Sequence, residues 1–142
     1  MSRVYKYNIL YPEERYRILG AAMAVYNEMG NGYLEPVYQD ALELEFKACG
    51  IPYEREKLIH IQYKGQQINH FYKADFVCYD KIVVELKAKK SLIEEHSAQT
   101  INYLKASGHE LALLANYGSI PLQYKWLICS RMQNSISIEQ QE

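Results

Sequence analysis

The sequence predicts an α/β fold with a mixed β-sheet, and two observations support this prediction. The hydrophobic patterns run in the order helix, helix, three strands, helix and two further strands. A strand meander followed by a crossover helix and another strand requires both antiparallel and parallel pairing in one sheet. The 142 residues are 49% hydrophobic and 23% charged, as in an ordinary globular protein. We therefore predict one domain over residues 1–142, with a polar C-terminal tail over about 132–142.

Three helices are predicted, two of them before the strands. The first begins at Pro12, whose fixed φ suits a first helical turn, and ends at the Gly30–Gly32 segment. The second covers residues 35–48 and ends at Gly50. The third is expected to begin at the capping-box pattern Ser91–Glu94. Strands are predicted over residues 53–63, 70–78, 82–86, 110–115 and 122–129, with a hairpin loop at 79–81.

Composition and charge argue against several classes of protein. The chain carries 16 Lys and Arg against 17 Asp and Glu, a net charge of −1, which argues against a broadly basic protein that coats nucleic acid. No apolar run approaches the roughly 18 residues of a membrane span. The three cysteines, Cys49, Cys78 and Cys129, follow no metal-ligand spacing. We expect free thiols packed as small apolar groups, and a cytoplasmic protein without membrane contact.

Three charged residues on neighbouring strands carry most of the functional information: Asp75, Glu85 and Lys87. Because side chains alternate along a strand, Glu85 and Lys87 share one face. The hairpin loop predicts a register in which Asp75 lies opposite Glu85 and Val77 lies opposite Val83. A slip by one residue would move Asp75 to the other face, so the register is a sharp prediction.

The chemistry of these three residues predicts a divalent-metal site. Two facing carboxylates repel each other unless a positive charge lies between them, and hard oxygen ligands suit Mg²⁺, with Mn²⁺ as an alternative. Lys87 could orient an attacking water or stabilise negative charge on a phosphate. The apolar neighbours of Asp75 and Glu85 disfavour a fully solvated strand. The alternative interpretation is a charge cluster on a solvated strand face.

The third helix adds a polar stripe beside its apolar one. Leu92, His96, Gln99 and Tyr103 recur at spacings of four, three and four, and therefore share one side of the helix. Such a helix can line a cleft. The alternatives are a partly buried packing role for His96 and a surface position for Gln99. Glu35, in the first turn of its helix, either serves the site or complements the helix dipole.

Four motifs together make the chain resemble the GxxExxY protein family. They are the string Gly32-Tyr33-Leu34-Glu35-Pro36-Val37-Tyr38, Asp75, the triplet Glu85-Leu86-Lys87, and Gln99 with Tyr103. Their order and spacing carry the resemblance, which covers roughly residues 11–129. The family looks like a branch of the PD-(D/E)XK nuclease superfamily. Ala74 stands where the superfamily's name has proline, a residue that supplies no ligand.

The resemblance implies a restriction-endonuclease-like αβββαβ core and a divalent-metal-dependent nuclease that hydrolyses phosphodiester bonds. We expect DNA as the substrate, with RNA as an alternative. The implied catalytic residues are Asp75, Glu85, Lys87 and Gln99. The implied ligands of Mg²⁺, or of Mn²⁺, are Glu35, Asp75, Glu85 and the backbone carbonyl of Leu86. The resemblance implies Tyr103 as a nucleic-acid contact, and the positions of Lys89, Lys90 and His96 beside the predicted site make them further candidates.

A different function remains open at this stage. The chain could be a catalytically inactive module that keeps the nuclease fold for nucleic-acid binding or protein interaction, and the near-zero net charge supports this alternative. Lys89 and Lys90 directly follow the predicted catalytic strand, where they could meet phosphates or remain solvated. Because so small a domain has little room to surround a duplex, a homodimer is a further hypothesis.

Overall fold

A computed structural model describes residues 9–130 and the backbone of residues 135–140. Within these residues there are three helices and six strands. The helices are α1 (Pro12–Met29), α2 (Glu35–Cys49) and α3 (Glu94–Ser107). The strands are β1 (Tyr53–Tyr63), β2 (Gln66–Cys78), β3 (Ile82–Lys87), β4 (Leu111–Asn116), β5 (Gln123–Ser130) and β6 (Ser135–Gln140).

The six strands form one sheet in their sequence order, from β1 to β6. Neighbouring strands are antiparallel except β3 and β4, which run parallel because α3 crosses over between them. The predicted α/β fold with a mixed sheet flanked by helices is therefore confirmed, and the elements from α2 to β4 follow the order αβββαβ.

Helices cover both faces of the sheet. On the α1/α2 face, a core of buried apolar residues lies between the two helices and the sheet, and Arg15 of α1 lies over the ring of Trp126 at 4.9 Å. That core includes Ile18, Ala22, Leu42, Phe46, Phe76, Val84, Leu86 and Leu113. On the α3 face, the helix packs on a smaller buried cluster that includes Val77, Val83, Ile101, Leu104, Ala112, Leu114 and Leu127.

The third helix begins later than its capping-box pattern predicts. Its first residue is Glu94, and Ile93 rather than Ser91 is its N-cap. Two hydrogen bonds explain the difference: Leu92 N–H donates to Gln123 Oε1 at 2.9 Å, and Ile93 N–H donates to His96 Nδ1 at 3.1 Å. These bonds hold the preceding segment outside the helix, so the predicted Ser91 cap is wrong.

Two strand predictions also need correction. The second strand, predicted over residues 70–78, begins earlier, at Gln66. The reason is that Lys64 and Gly65, with φ of 50° and 80°, form a two-residue turn that joins β1 to β2. The segment predicted only as a polar tail contains a sixth strand, because Ser135–Gln140 forms β6 and pairs with β5. The rest of the predicted tail, residues 132–134 and 141–142, lies outside the described residues.

The β1–β2 hairpin twists sharply at one position. Glu56, which lies opposite Asp75 in the register, has a left-handed φ of 54°. Ala74 and Val77 both pack in the cluster beneath α3, although residues three apart on a regular strand point to opposite faces. Beyond the twist, Tyr72 packs against that same cluster. The twist therefore turns the rest of the hairpin over α3.

The cysteines and the helix lengths agree in part with expectation. All three cysteines are free; Cys78 and Cys129 are buried as predicted. Cys49 is exposed, and its thiol donates to Glu45 Oε2 at 3.4 Å. In the described part of the chain, no helix combines the length and apolar character needed to cross a membrane.

Candidate active site

The β2–β3 hairpin has the predicted register, with Val77 paired to Val83. At Asp75 and Glu85, two hydrogen bonds from backbone N–H groups to carboxylate oxygens replace the backbone-to-backbone hydrogen bonds of the strand pair. Asp75 N–H donates to Glu85 Oε1 at 3.0 Å, and Leu86 N–H donates to Asp75 Oδ2 at 2.8 Å. Each carboxylate is therefore fixed by the backbone of the opposite strand.

Both carboxyl groups are hard to ionise in the folded protein. Burial raises the pKa of Asp75 to about 6, and the charge of Glu35 adds to this rise. Glu85 is 4% exposed, and burial raises its pKa well above the ordinary value, with the charge of Asp75 as the next cause. Lys87 lowers both pKa values. At neutral pH the pair therefore places negative charge in apolar surroundings, a cost that a bound cation would relieve.

The donor chemistry of this pair fits a divalent cation. Asp75 Oδ1 and Glu85 Oε2 take no part in the two inter-strand bonds. Mg²⁺ is commonly bound by one or two carboxylates, while water and phosphate oxygens complete its shell. Within residues 9–130, no group of three or more His, Cys, Asp or Glu side chains is placed to hold a metal. A metal site here would therefore rest on Asp75 and Glu85; the ligand role of the Leu86 carbonyl stays a prediction.

Helix α2 brings a third carboxylate toward the pair. Glu35 is half-buried in the first turn of α2, and its charge raises the pKa of both Asp75 and Glu85. Farther along α2, Gln39 Nε2 donates to the carbonyl of Asp75 at 3.5 Å, while its Oε1 accepts from Arg55 Nη2 at 3.1 Å. The helix is thus fixed to the strand that carries Asp75.

The tyrosine of the GxxExxY string has a structural role. Tyr38 is fully buried, and its ring stacks on Tyr117 with 4.5 Å between the centroids. Its hydroxyl donates to the Gly30 carbonyl at 2.6 Å and accepts from Tyr33 N–H at 3.1 Å. Tyr38 therefore fixes the loop that leads into α2 and so positions Glu35.

Helix α3 supplies polar groups on the other side of the carboxylates. Lys87 Nζ donates to Gln99 Oε1 at 3.4 Å. His96 Nδ1 accepts from Ile93 N–H, and burial lowers the pKa of His96, as do the charges of Lys87 and Lys89. The structure thus brings the predicted residues His96 and Gln99 next to Lys87.

Tyr103 lies deeper than its predicted role in nucleic-acid contact suggests. It is 8% exposed, and its ring meets Tyr72 edge-on with 4.5 Å between the centroids. Burial raises the pKa of Tyr103, and the charges of Glu85 and Asp75 raise it further. Its hydroxyl therefore stays protonated at neutral pH, and its burial favours a supporting role over direct contact with a ligand.

Comparison with known protein families decides the relationship. A family profile described as the PD-(D/E)XK nuclease superfamily matches residues 12–127 of this chain. The chain belongs to the PD-(D/E)XK nuclease superfamily. This membership confirms the restriction-endonuclease-like fold and the superfamily part of the resemblance, and it makes the chain a member of a superfamily of nucleases.

Other comparisons add little to the family assignment. No curated protein matches the chain significantly. One similar solved structure, the crystal structure of SSO0001, has a TM-score of 0.48 and 19% sequence identity. The alignment covers 75% of this chain and 50% of that protein, so the chain spans about half of its length.

A buried asparagine organises the segment that follows the PD-(D/E)XK strand. Asn116 Oδ1 accepts from Lys89 N–H at 2.8 Å, and its Nδ2 donates to the Lys89 carbonyl at 2.9 Å and to Gln123 Oε1 at 3.3 Å. At Gly118 a Cβ would lie 2.2 Å from the Lys89 carbonyl oxygen, so only glycine allows this approach. The backbone of Lys89 is thus fixed, and its charge lowers the pKa of His96, whereas only its exposed position supports the predicted role of Lys90.

Sequence reasoning missed several of these positioning residues. Asn116 belongs to none of the sequence motifs, although a polar residue at the end of the apolar run Leu111–Ala115 is a signal that could have drawn attention to it. The bond from Gln39 to Asp75 joins residues 36 apart along the chain. No spacing rule within one helix or one hairpin predicts such a contact.

Proposed function

We propose that this chain is a divalent-metal-dependent nuclease that hydrolyses phosphodiester bonds in DNA. The observation that carries the proposal is the pair of buried carboxylates, Asp75 and Glu85, each bonded to the opposite strand and raised in pKa. Two fixed carboxylates beside a lysine are what metal-assisted phosphodiester hydrolysis requires, and superfamily membership supports the same chemistry.

In this proposal Asp75 and Glu85 hold Mg²⁺ or Mn²⁺ with the Leu86 carbonyl, and Glu35, whose charge acts on both carboxylates, is the proposed further ligand. The bound ion would neutralise the carboxylates and polarise the phosphodiester for attack by water. The cross-strand bonds matter because they fix the carboxylate orientation before any ligand arrives, so little reorganisation is needed.

Lys87 is the proposed catalytic lysine. Its ammonium group, which donates to Gln99, would orient the attacking water or stabilise negative charge on the phosphate. Because His96 Nδ1 accepts a hydrogen bond and the pKa of His96 is lowered, the neutral ring carries its proton on Nε2 at neutral pH. His96 can therefore donate to a phosphate, with Lys89 and Lys90 as further phosphate contacts and Tyr103 as support.

A cleavage assay with matched lysine variants tests the proposal. Wild-type protein should cleave DNA with Mg²⁺ and stop when EDTA is added. Lys87→Ala should lower the cleavage rate by about 100-fold or more, because charge stabilisation in the transition state is lost. The control Lys47→Ala, an exposed lysine in the last turn of α2, should cleave like wild type. Equal rates for Lys87→Ala and Lys47→Ala would contradict the role of Lys87.

The second candidate is an inactive module with the same fold that binds nucleic acid or protein. The net charge of −1 and the lack of a three-residue metal cluster among the described residues favour it. Titration calorimetry with Mn²⁺, with and without DNA, separates the two functions. Binding of Mn²⁺ that disappears in Asp75→Asn supports the nuclease, whereas no metal binding under either condition supports the inactive module.

Three further properties belong to the same proposal. We propose that residues 1–142 act as one domain of the GxxExxY branch and that the protein is cytoplasmic, a location that the three free cysteines support. Dimerisation would widen the surface available to DNA. Light scattering during size-exclusion chromatography measures it directly, and a monomer at working concentration would contradict it.

A further inference from the structure

The distal hairpin, defined here as residues 57–74, carries an exposed surface beyond the carboxylates. Its sequence contains three lysines and two histidines but no Asp or Glu, on a chain with a net charge of −1. Phe71 is 55% exposed and Leu58 is 47% exposed. The rings of Phe71 and His60, which are paired across the strands, lie 6.0 Å apart. Lys57 and Lys73 form ion pairs with Glu54 and Glu56, which lie just before the hairpin, so the distal hairpin presents an exposed ring pair beside lysines whose acidic partners lie at its inner end.

The strand that carries part of the outer face of the distal hairpin also carries Asp75. Tyr72 packs on Tyr103 of α3, so alternation places Phe71 and Lys73 on the side that faces away from the helix. Lys73 Nζ lies 3.7 Å from a carboxylate oxygen of Glu56, the residue opposite Asp75 in the register. The row of Phe71 and Lys73 therefore lies on the strand that carries Asp75, on the side of the hairpin that faces away from α3.

The spacing of this row suits an extended chain of nucleotides. Phe71 precedes Asp75 by four residues, which corresponds to about 13 Å along a strand. A ring face accepts a base only when that base is unstacked, and proteins that bind single strands combine such rings with basic side chains along the backbone. A base-paired duplex keeps its bases stacked and would leave the ring pair unused.

We propose that the outer face of the distal hairpin binds unpaired nucleotides of the strand to be cut, with a base on the Phe71–His60 rings and a phosphate at Lys73. The position of this strand rests on the proposed nuclease function, but its binding is measurable without cleavage. Contact with a second copy is disfavoured, because a two-fold interface would bring the lysines and histidines of both copies together.

Fluorescence anisotropy in EDTA, with an oligothymidylate of about 16 nucleotides and a duplex of the same length, tests the inference. Phe71→Ala should weaken single-strand binding about 5- to 100-fold and change duplex binding less, because one stacking contact is lost. Phe71→Trp should restore affinity, whereas Phe71→Leu, which keeps apolar surface but no ring, should not. The control Tyr16→Ala removes a ring that is 82% exposed on α1 and should bind like wild type.

Several outcomes would overturn the inference. They are equal single-strand affinities of Phe71→Ala and wild type, absence of single-strand binding by wild type, and a change of oligomeric state in Phe71→Ala with unchanged DNA affinity. Thermal melting of each variant shows whether it folds, and the Phe71→Trp rescue separates lost stacking from lost structure. If wild type binds single strands through Phe71 yet cleaves nothing, the nuclease proposal fails and this inference stands. If wild type cleaves DNA but Phe71 is dispensable for binding, this inference fails and the nuclease proposal stands.

Discussion

The two faces of the sheet differ in what their packing accomplishes, and two adjacent residues show the difference. Tyr117 turns to the α1/α2 face, where it stacks on Tyr38 and its hydroxyl donates to the Ala22 carbonyl at 2.9 Å. Asn116, one residue earlier, instead holds the backbone of Lys89. One face is closed by rings and apolar side chains, while the other is organised by amides around charged groups.

The comparison indicates how the molecule accommodates an unfavourable site. Carboxyl groups buried without a cation destabilise the folded state, because burial penalises their charged form. The α1/α2 face contains the larger apolar cluster and therefore contributes more hydrophobic stabilisation. Substitution of a buried carboxylate should consequently raise stability and abolish activity, whereas substitution in the α1/α2 core should lower stability.

The largest expected effect on stability is on the α1/α2 face. Phe46 is fully buried and meets the ring of Phe76 edge-on at 5.1 Å. Phe46→Ala should lower the free energy of unfolding by about 3 to 5 kcal/mol, because it leaves a cavity in the core. Urea denaturation measures the change, with Tyr16→Ala as an exposed control within about 0.5 kcal/mol of wild type. A loss below about 1 kcal/mol for Phe46→Ala would show that this face is not the main source of stability.

The next effect is on the amide network of the other face. Asn116→Ala should lower the free energy of unfolding by about 2 to 3 kcal/mol, because it leaves the buried backbone partners of Asn116 unsatisfied. It should also slow DNA cleavage, since the segment after Lys87 loses its anchor. Thermal melting and the cleavage assay measure the two changes, with exposed Asn102→Ala of α3 as the matched control. Normal cleavage by a folded Asn116→Ala protein would remove the positioning role.

A substitution at the carboxylate pair should act in the opposite direction on stability. The pKa of Asp75 is about 6 in the folded protein against 3.8 for an ordinary aspartate, so between these values the folded state binds the proton more tightly. Rising pH therefore removes stability over this range and leaves it low above pH 6. Asp75→Asn avoids that loss, because its amide oxygen can still accept from Leu86 N–H.

Denaturation of wild type and Asp75→Asn in EDTA at several pH values checks this prediction. The free energies of unfolding of the two proteins should differ little below about pH 4, and that of the variant should be higher by about 1 to 3 kcal/mol at pH 8. In a separate assay with Mg²⁺, the variant should no longer cleave DNA. Adding Mg²⁺ at pH 8 should raise the melting temperature of wild type alone. A variant that is less stable than wild type at pH 8 would show that the ionised carboxylate is favourable in the fold.

The smallest expected effect concerns the Tyr38 hydroxyl, which is bonded to the loop that leads into α2. Tyr38→Phe keeps the ring stack on Tyr117 but removes the bonds to Gly30 and Tyr33. It should lower the free energy of unfolding by about 1 kcal/mol, the usual contribution of such bonds. Tyr33→Phe, at a residue that is 51% exposed, is the control and should be neutral in chemical denaturation. An equal loss in both variants would argue against the loop-fixing role of Tyr38.

The sequence predicted the elements and the register of the site strands because those depend on local patterns. Alternation along β2 and β3 and the length of the 79–81 loop were enough to place Val77 opposite Val83, as observed. The helices fell near their observed bounds because Pro12 and Gly50 mark their ends. The error at Ser91 has a non-local cause, because the backbone of Leu92 bonds to the distant residue Gln123 and lies outside the helix.

The arrangement of the site was less accessible to sequence reasoning, because it depends on contacts between distant segments. The twist at Glu56 interrupts a strand that reads as continuous in the sequence. The bond from Gln39 to the Asp75 carbonyl joins α2 to β2. The burial of Tyr103 follows from a hairpin that turns over α3, and the helical stripe alone places this residue on the same side as exposed Gln99.

Trp126 lies on the α1/α2 face beneath the guanidinium of Arg15, and it is the only tryptophan in the sequence. Intrinsic emission excited at the indole band therefore originates from that half of the molecule. It reports when the first helix leaves the sheet, and it is blind to rearrangements confined to the carboxylates. Trp126 is thus an intrinsic fluorescence probe of the α1/α2 face. A dye attached to the exposed thiol of Cys49 would provide a second fluorophore without any substitution in the sequence.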